Sequence, residues 1–286
     1  MNQPLNHFNK SIKLHYMTQR TLTIAGVDPS GGAGVLADIK TMTVLGTYAC
    51  GVIAALTAQN TQGVTGVMPI TPDFIRLQLK TLFADVQIDA IKLGMLGESP
   101  VIEAVAEELI AHKGHRHCIL DPVMVAKGGS TLLPDSSIPT LIEALIPQSN
   151  MITPNLPEAA ILTEQSAPEN IKQMYTMAEK LHKLFKRSDE RWVLLKGGHL
   201  PNSDLVDLLF NGDKMIELPN QRIQTKNTHG TGCTYSAAIC ALVTRDDDIV
   251  RATKEAKQYL LKAIERSGEM KVGSGHGPLH HFHQWY

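Results

Sequence analysis

Short apolar runs alternate with amphipathic stretches along most of the chain. Apolar runs of this length, bounded by glycine, proline or polar residues, are typical of buried strands. We predict six such strands, at TLTIAG (21–26), YACGVIAALT (48–57), DAIKLG (89–94), HCILDP (117–122), NMITP (150–154) and WVLLKGG (192–198). Between them, residues 72–86 and 100–113 repeat apolar side chains at every third or fourth position, which predicts amphipathic helices. This alternation predicts an α/β fold, with a mostly parallel sheet and helices on both faces.

Two segments interrupt the alternation of strands and helices. VTGVMPI (64–70) predicts an additional strand after a turn, and residues 204–210 and 213–218 predict an antiparallel hairpin across Asn211-Gly212. Residues 21–286 show no repeat or linker, so we expect a single domain. Residues 1–20 are basic and lead into no long apolar run, which predicts a loosely ordered N-terminal extension rather than a secretory signal.

Composition narrows the classes of function. The 286 residues include 27 basic and 28 acidic side chains, giving a formal net charge of -1, and 43% of them are hydrophobic. This balance excludes a disordered chain and argues against broad binding to a nucleic-acid backbone, which needs a basic excess. Cys50, Cys118, Cys233 and Cys240 lack metal-ligand spacing and predict reduced thiols. We therefore expect a cytoplasmic enzyme or small-molecule binder.

The strongest chemical signal is THGTGCT (228–234), which precedes a predicted helix. Backbone N–H groups at a helix start, helped by the helix dipole, bind anions such as phosphates. Cys233 lies in the first turn, where its thiolate should be favoured and could accept a proton from a substrate hydroxyl. The alternative is that the glycines only permit close packing and that Cys233 is a small core residue.

Other polar residues follow the predicted strands, where the carboxyl ends of a parallel sheet form ligand sites. GVDPSGGAG (26–34) could let a substrate ring approach the backbone, or could be an ordinary turn. Glu158 could hold Mg²⁺ through water, with Asp121 as a second carboxylate, although both residue types also suit turns and helix starts. Lys196 would suit a triphosphate, or could simply reach water.

Gln59 and Met95 suit a flat heteroaromatic substrate. The Gln59 amide offers a donor and an acceptor that match an aminopyrimidine edge, although the residue could instead form a turn. Met95 could pack on a ring or fill the core. The histidines in residues 276–283 have no helical pairing and no carboxylate or thiolate nearby in sequence, which argues against a structural metal site there.

Taken in order, seven segments closely resemble the hydroxymethylpyrimidine/phosphomethylpyrimidine kinase family, the thiamin-pathway branch of the ribokinase-like superfamily. They are GVDPSGGAGVLADIKT, AQNTQGV, KLGML, LDPVMVAKGG, TPNLPEA, LKGGH and KNTHGTGCTYSAA, and the ending GHGPLHHFHQWY also resembles the family. The resemblance starts near Leu22. It implies a three-layer ribokinase-like fold with a short flap rather than a large lid. It also implies a homodimeric kinase that uses ATP and Mg²⁺ to phosphorylate the pyrimidine hydroxymethyl group, and then the monophosphate.

The resemblance also implies roles for individual residues. The anion hole would be formed by Gly230, Thr231, Gly232 and Cys233, with Cys233 as the base at a position where most sugar kinases have aspartate. The pyrimidine would be surrounded by Gln59, Gly26, Ala33, Asp38, Met95 and Val123. ATP would be bound by Lys196, Asn155 and Thr231, and Mg²⁺ by Glu158 and Asp121 with help from Asn155.

Three alternatives to this function stay open on the sequence. A pyridoxal kinase is the nearest, because some relatives with the same cysteine-bearing loop phosphorylate vitamin B6. A sugar kinase would be expected to carry aspartate at position 233. A non-catalytic pyrimidine sensor would not need the complete set of base, anion loop, Lys196 and Glu158. Gln59 and Met95 favour the aminopyrimidine.

Overall fold

The computed structural model describes residues 18–126, 128–187, 189–198, 200, 205–220 and 222–285. Within this part of the chain, nine strands form one sheet: β1 Arg20–Val27, β2 Tyr48–Asn60, β3 Gly63–Pro69, β4 Ala90–Leu93, β5 His117–Leu120, β6 Met151–Ile152, β7 Trp192–Leu195, β8 Leu205–Phe210 and β9 Met215–Asn220. Their order in the sheet is β3-β2-β1-β4-β5-β6-β7-β8-β9. Most of the predicted N-terminal extension, residues 1–17, lies outside the described residues. The single domain over residues 21–286 stays a prediction.

The pairing of the strands follows the sequence prediction. The six strands from β2 to β7 in the sheet pair in parallel, whereas β3, β8 and β9 pair antiparallel to their neighbours. The additional strand at 64–70 and the hairpin across Asn211-Gly212 are therefore confirmed. The β2–β3 hairpin, with its tip at residues 61–62, forms the short flap.

Helices cover both faces of the sheet. They are α1 Gly34–Val44, α2 Pro72–Phe83, α3 Ser99–Ala111, α4 Ile138–Thr140, α5 Leu156–Thr163, α6 Ile171–Lys183, α7 Thr231–Val243 and α8 Ile249–Glu265. α2, α3, α5 and α6 pack in the cluster on one face, and α1, α7 and α8 pack in the cluster on the other. None of the helices in the described residues is long and apolar enough to cross a membrane.

Side chains alternate between the two faces along each strand, as strand geometry requires. In β4, Ile91 and Leu93 join the cluster beneath α2 and α3, while Ala90 packs with α1 and α7 on the opposite face. Lys92 shares the face of Ala90 and is completely buried. A charged side chain therefore lies beneath α1 and α7 in an otherwise apolar strand.

The C-terminal segment, residues 271–285, crosses the edge where the strands end. The His276 N–H donates to the Thr61 carbonyl at the hairpin tip (2.8 Å), and the His229 N–H donates to the Gly277 carbonyl (3.1 Å). Farther along, His281 Nε2 lies 3.1 Å from Thr234 Oγ1, in the first turn of α7. The histidine-rich ending thus contacts both the flap and the start of α7.

Candidate active site

A cavity of about 920 Å³ opens at the carboxyl ends of the parallel strands, between the starts of α1 and α7. Thirteen of the site residues named from the sequence line it: Gly26, Ala33, Gln59, Met95, Asp121, Val123, Asn155, Glu158, Lys196, Gly230, Thr231, Gly232 and Cys233. Asp38 is the exception, because it is completely buried and does not line the cavity. Residues from seven separate segments of the chain thus meet in one place.

The start of α7 packs tightly against the loop before α1. Gly230 has a left-handed φ of 77°, and a Cβ there would overlap the carbonyl oxygen of Gly32. Glycine is therefore required both by the backbone conformation and by the close approach of the two loops. The first-turn N–H groups of α7 lack intrahelical acceptors, and the residues that carry them line the cavity. This arrangement is suited to holding phosphoryl oxygens.

Cys233 is placed as predicted, but its ionisation differs from the prediction. Burial raises the pKa of the Cys233 thiol to about 11, although the Lys92 ammonium group lowers it in part. The carboxylates of Asp38 and Asp121 raise the pKa further. The expectation that the first turn of α7 favours the thiolate is therefore wrong, because desolvation raises the pKa of this thiol more than Lys92 and the Gly34 N–H lower it.

Lys92 was not assigned a role from the sequence, yet it lines the cavity. Its Nζ lies 2.8 Å from Asp38 Oδ2, and the Thr23 hydroxyl donates to the same oxygen at 2.6 Å. Both charged side chains have no exposed surface. Asp38, predicted to surround the pyrimidine, therefore contacts Lys92 in this structure and is shielded from the cavity. A lone lysine within the apolar run AIKL was the signal that could have revealed this pair.

A second lysine lies on the other side of the α7 start. Lys196 Nζ is 2.8 Å from Asp121 Oδ1, and a Cβ on Gly232 would lie 3.3 Å from the same Nζ. Burial by itself would lower the pKa of Lys196, but the carboxylates of Asp121 and Glu158 raise it above its usual range. Lys196 is therefore a cation beside the predicted anion hole, as a triphosphate site requires.

Asn155 and Glu158 form a capping box at the start of α5. Asn155 Oδ1 accepts from the Glu158 N–H at 2.9 Å, and Glu158 Oε2 accepts from the Asn155 N–H at 2.8 Å. Burial raises the pKa of Glu158 to about 7, and the nearby Asp121 carboxylate adds to the effect while Lys196 opposes it. A buried carboxylate in this state would be stabilised by an additional cation.

Glu158 and Asp121 are the predicted Mg²⁺ ligands. The described residues contain no group of three or more His, Cys, Asp or Glu side chains arranged to hold a metal ion. Asp121 Oδ1 already accepts from Thr153 at 2.9 Å as well as from Lys196, which leaves Glu158 as the better-placed carboxylate. The set fits Mg²⁺ that is carried by phosphates and water and touches the protein at few points.

The acceptor side of the cavity is built around Gly26 and Gln59. A Cβ on Gly26 would lie 2.7 Å from Met95 Sδ, so the thioether lies directly over the glycine backbone. Gln59 Oε1 accepts from the Thr57 hydroxyl at 3.1 Å, and Gln59 Nε2 lies 3.5 Å from His229 Nε2. One wall thus combines the thioether of Met95, the backbone of Gly26 and the amide of Gln59. These groups suit a flat ring with polar groups at its edge.

His229 and Asp28 were not predicted as site residues. His229 Nε2 is 2.7 Å from Asp28 Oδ2, and both side chains line the cavity. Burial by itself would raise the pKa of Asp28, but hydrogen bonds from His229 and Ser30 hold it below its usual value. The pair connects the loop after β1 to the loop before α7, which are remote in sequence.

A further arm of the cavity runs past Lys196 toward α8. Lys257 Nζ lies 3.0 Å from Asp207 Oδ2, and Asp207 Oδ1 accepts from the Gly197 N–H at 2.9 Å. Apolar side chains of α8, among them Leu260 and Ile264, continue this wall. The arm is therefore mixed in polarity and belongs to the same cavity as the predicted anion hole.

Comparison with known proteins gives the family. The sequence model of the family described as phosphomethylpyrimidine kinase matches residues 28–280. The chain belongs to the phosphomethylpyrimidine kinase family. The family resemblance predicted from the order of the motifs is confirmed, and with it the prediction of a kinase, a phosphotransferase.

Relatives of this kinase match nearly end to end. A hydroxymethylpyrimidine/phosphomethylpyrimidine kinase of Salmonella typhimurium is 47% identical over 265 residues, covering 93% of this chain and 98% of the relative. A protein of the same name from Bacillus subtilis is 43% identical over 264 residues, covering 92% of this chain and 94% of the relative.

Solved structures place the kinase among vitamin kinases. Phosphomethylpyrimidine kinase from Clostridium difficile 630 is 36% identical with a TM-score of 0.76, covering 86% of this chain and 100% of that chain. Bacillus subtilis pyridoxal kinase, solved as an ADP complex, is 34% identical with a TM-score of 0.83, covering 92% and 97% of the two chains. The predicted ribokinase-like fold is confirmed by these matches and by the mostly parallel sheet flanked by helices.

Proposed function

We propose that the kinase transfers the γ-phosphoryl group of ATP to the hydroxymethyl group of 4-amino-5-hydroxymethyl-2-methylpyrimidine, and then phosphorylates the resulting monophosphate to the diphosphate, in thiamin biosynthesis. The observation that carries the proposal is the cavity itself. It joins an acceptor pocket, formed by Gly26, Gln59 and Met95, to the α7 start and Lys196. Cys233 lies between the two halves, in the first turn of α7.

The residues suggest a division of labour. Gln59 and Met95 orient the ring so that its hydroxymethyl group points toward Cys233. The Cys233 thiolate accepts the hydroxyl proton, the oxygen bonds to the γ-phosphorus, and the bond between that phosphorus and the β,γ-bridging oxygen breaks to release ADP. The α7 N–H groups and Lys196 stabilise the phosphoryl charge during transfer. Mg²⁺ would be held by Glu158, with Asn155, through water, and would neutralise phosphate charge when bound.

The arm between Lys196 and α8 is the place we assign to the rest of the nucleotide. Asp207 and Lys257 pair there at 3.0 Å, and Arg222, Gln224 and Thr225 line the same cavity together with the apolar side chains of α8. A wall that combines apolar and polar side chains suits a nucleoside, which has flat apolar faces and polar edges. The homodimer and the cytoplasmic location stay predictions from the sequence.

An assay panel tests the function directly. Purified protein is incubated with ATP and Mg²⁺ and with hydroxymethylpyrimidine, its monophosphate or pyridoxal, and the products are separated as mono- and diphosphates. We expect both pyrimidine steps to proceed with a higher kcat/KM than pyridoxal phosphorylation. Turnover of pyridoxal alone would instead support the second candidate, a pyridoxal kinase, which the similarity to pyridoxal kinase structures favours. Ligand binding without ADP formation would support a sensor.

A further inference from the structure

The ion pair between Lys92 and Asp38 lies beneath the acceptor end of the cavity, and the mechanism above does not use it. Lys92 Nζ lies close to the position that a Cβ on Gly94 would take, at 2.8 Å, just before the acceptor residue Met95. Lys92 also shares the cavity wall with Cys233. Burying a lysine and an aspartate costs free energy unless the two are paired. Apolar side chains of similar size would pack a core equally well, so stability alone does not explain the pair.

The surroundings of Cys233 show what Lys92 can do. The groups that act on its thiol are the ammonium group of Lys92 from β4, the carboxylates of Asp38 on α1 and Asp121 after β5, and the N–H of Gly34 at the start of α1. Lys196, after β7, also interacts electrostatically with Cys233. Among these groups Lys92 favours the thiolate most strongly, and the Asp38 carboxylate opposes it.

We propose that Lys92 is a positioning residue for phosphoryl transfer: its ammonium group, held in place by Asp38, stabilises the Cys233 thiolate that must form before the acceptor hydroxyl can lose its proton. The proposal rests on the proposed function of Cys233 as base. The thiol first releases its proton to solvent. The thiolate then takes the hydroxyl proton as the new oxygen–phosphorus bond forms, and the thiol is neutral again when ADP and product leave. Lys92 keeps its own proton throughout.

Asp38 gives the proposal a test in which two substitutions have opposite effects. Removing the ammonium group in Lys92→Met takes away the cation that favours the thiolate. Removing the carboxylate charge in Asp38→Asn takes away the anion that opposes the thiolate, while the amide oxygen can still accept from the Lys92 ammonium group and keep it in place. A purely structural role for the ion pair predicts no such opposition, because both substitutions break the same contact at 2.8 Å.

The first measurement needs no substrate. Iodoacetamide alkylation of Cys233 is followed at pH 8.5 by mass spectrometry of its peptide, so that Cys50, Cys118 and Cys240 do not interfere. A change of one unit in thiol pKa alters the thiolate fraction about tenfold at this pH. We expect Lys92→Met to react about tenfold more slowly than the wild type and Asp38→Asn to react faster. The surface variant Lys80→Met is the control and should react like the wild type.

The second measurement is the kinetics of pyrimidine phosphorylation. Lys92→Met should lower kcat about tenfold, in step with the smaller thiolate fraction, while the KM of the pyrimidine changes little. Near-ultraviolet circular dichroism and thermal melting check the fold. Because Lys92→Met leaves a buried carboxylate unpaired, Lys92→Met/Asp38→Asn repeats the comparison without a buried charge.

The outcomes separate this proposal from the function on which it rests. Equal alkylation rates in the wild type, Asp38→Asn and the folded Lys92 variants would overturn it, as would wild-type kcat in the double variant. Inactivity of the wild-type enzyme toward every pyrimidine would instead reject the proposed function, because the alkylation result does not depend on any substrate.

Discussion

Cys233 combines a favourable position with an unfavourable environment for ionisation. The start of α7 and Lys92 favour its thiolate, whereas burial and two carboxylates favour the thiol, and together they raise the pKa to about 11. A base acts only in its deprotonated form, so the active fraction of the enzyme should rise with pH until the pH passes the pKa of the thiol. This raised pKa has a direct kinetic consequence.

We expect kcat/KM of the first phosphorylation to rise about tenfold per pH unit between about pH 7 and 9, because thiolate is the minor species throughout this range. Cys233→Ala should lose at least about a hundredfold in kcat and show no such rise, while its melting temperature stays close to that of the wild type. The check is a pH–rate profile of both proteins at saturating ATP. A Cys233→Ala enzyme with the pH profile and turnover of the wild type would exclude a base role for this residue.

We expect Gln59 to act on the acceptor alone. Its amide lies on the hairpin side of the cavity, 3.5 Å from His229 Nε2, while Lys196 and the α8 arm lie beyond the α7 start. Gln59→Ala should raise the KM of the pyrimidine about tenfold, as expected for loss of one or two hydrogen bonds, and leave the KM of ATP unchanged. Steady-state kinetics with each substrate varied gives the answer. Thr65→Ala, on the same hairpin, is the control, and equal KM shifts for both substrates in Gln59→Ala would contradict the assignment.

At the scale of elements, the C-terminal segment connects the two halves of the active site. It contacts Thr61 at the tip of the β2–β3 hairpin and the His229 backbone before α7. The Tyr259 hydroxyl of α8 donates to the His281 carbonyl at 2.7 Å, which ties the segment to the second face of the sheet. Since Gln59 lies on the hairpin and Cys233 on α7, we expect the segment to help set the distance between these two residues.

Gly275 offers a way to test this connection. A Cβ at this position would overlap the carbonyl oxygen of Thr61, so Gly275→Ala should push the C-terminal segment away from the hairpin tip. We expect a several-fold rise in the KM of the pyrimidine, with a much smaller effect on the KM of ATP. Gly268→Ala is the matched control, because a Cβ there meets no atom within 4 Å. If both variants behave alike in substrate kinetics, the segment has no part in positioning the hairpin.

The sequence was a good guide to these elements and a weaker guide to their contacts. Apolar runs located the strands, because burial on both faces of a parallel sheet leaves little room for polar residues. Lys92 was easy to overlook within such an apolar run, because the carboxylate that pairs with it, Asp38, lies 54 residues away in the sequence. The His229–Asp28 pair joins residues 201 positions apart. Contacts of this kind form only in the assembled sheet, and a local pattern shows one partner at most, as the lone lysine in AIKL does.

At the scale of the whole molecule, a nearly neutral chain concentrates opposite charges around one cavity. Lys92 pairs with Asp38, Lys196 with Asp121 and Lys257 with Asp207, each at 2.8 to 3.0 Å. Glu158 lies beside the second pair and carries a carboxyl whose pKa is raised to about 7 by burial. Glu158 therefore shares Lys196 with Asp121, at the place where phosphate-bound Mg²⁺ is proposed.

Glu158 should therefore make stability depend on pH. Its pKa is about 7 in the folded protein against an ordinary 4.5, so the folded state binds the proton more tightly. Its contribution to stability falls as pH rises through this window and is lost above pH 7. In Glu158→Gln the amide cannot ionise, and its oxygen can still accept from the Asn155 N–H. As the pH rises from 5 to 8, the free energy of unfolding of this variant should therefore increase by roughly 2 kcal/mol relative to that of the wild type.

Thermal melting of the ligand-free proteins across pH 5 to 8 measures this gain, with the exposed Glu103→Gln as control. ATP with Mg²⁺ should reverse the order at pH 8, because the wild-type carboxylate then faces a cation and the glutamine does not. The added ligand should therefore raise the melting temperature of the wild type more than that of Glu158→Gln. If the difference in melting temperature between the two proteins does not change with pH, Glu158 ionises as an ordinary carboxylate. If ATP and Mg²⁺ raise the melting temperature of both proteins equally, Glu158 is not a ligand of the metal.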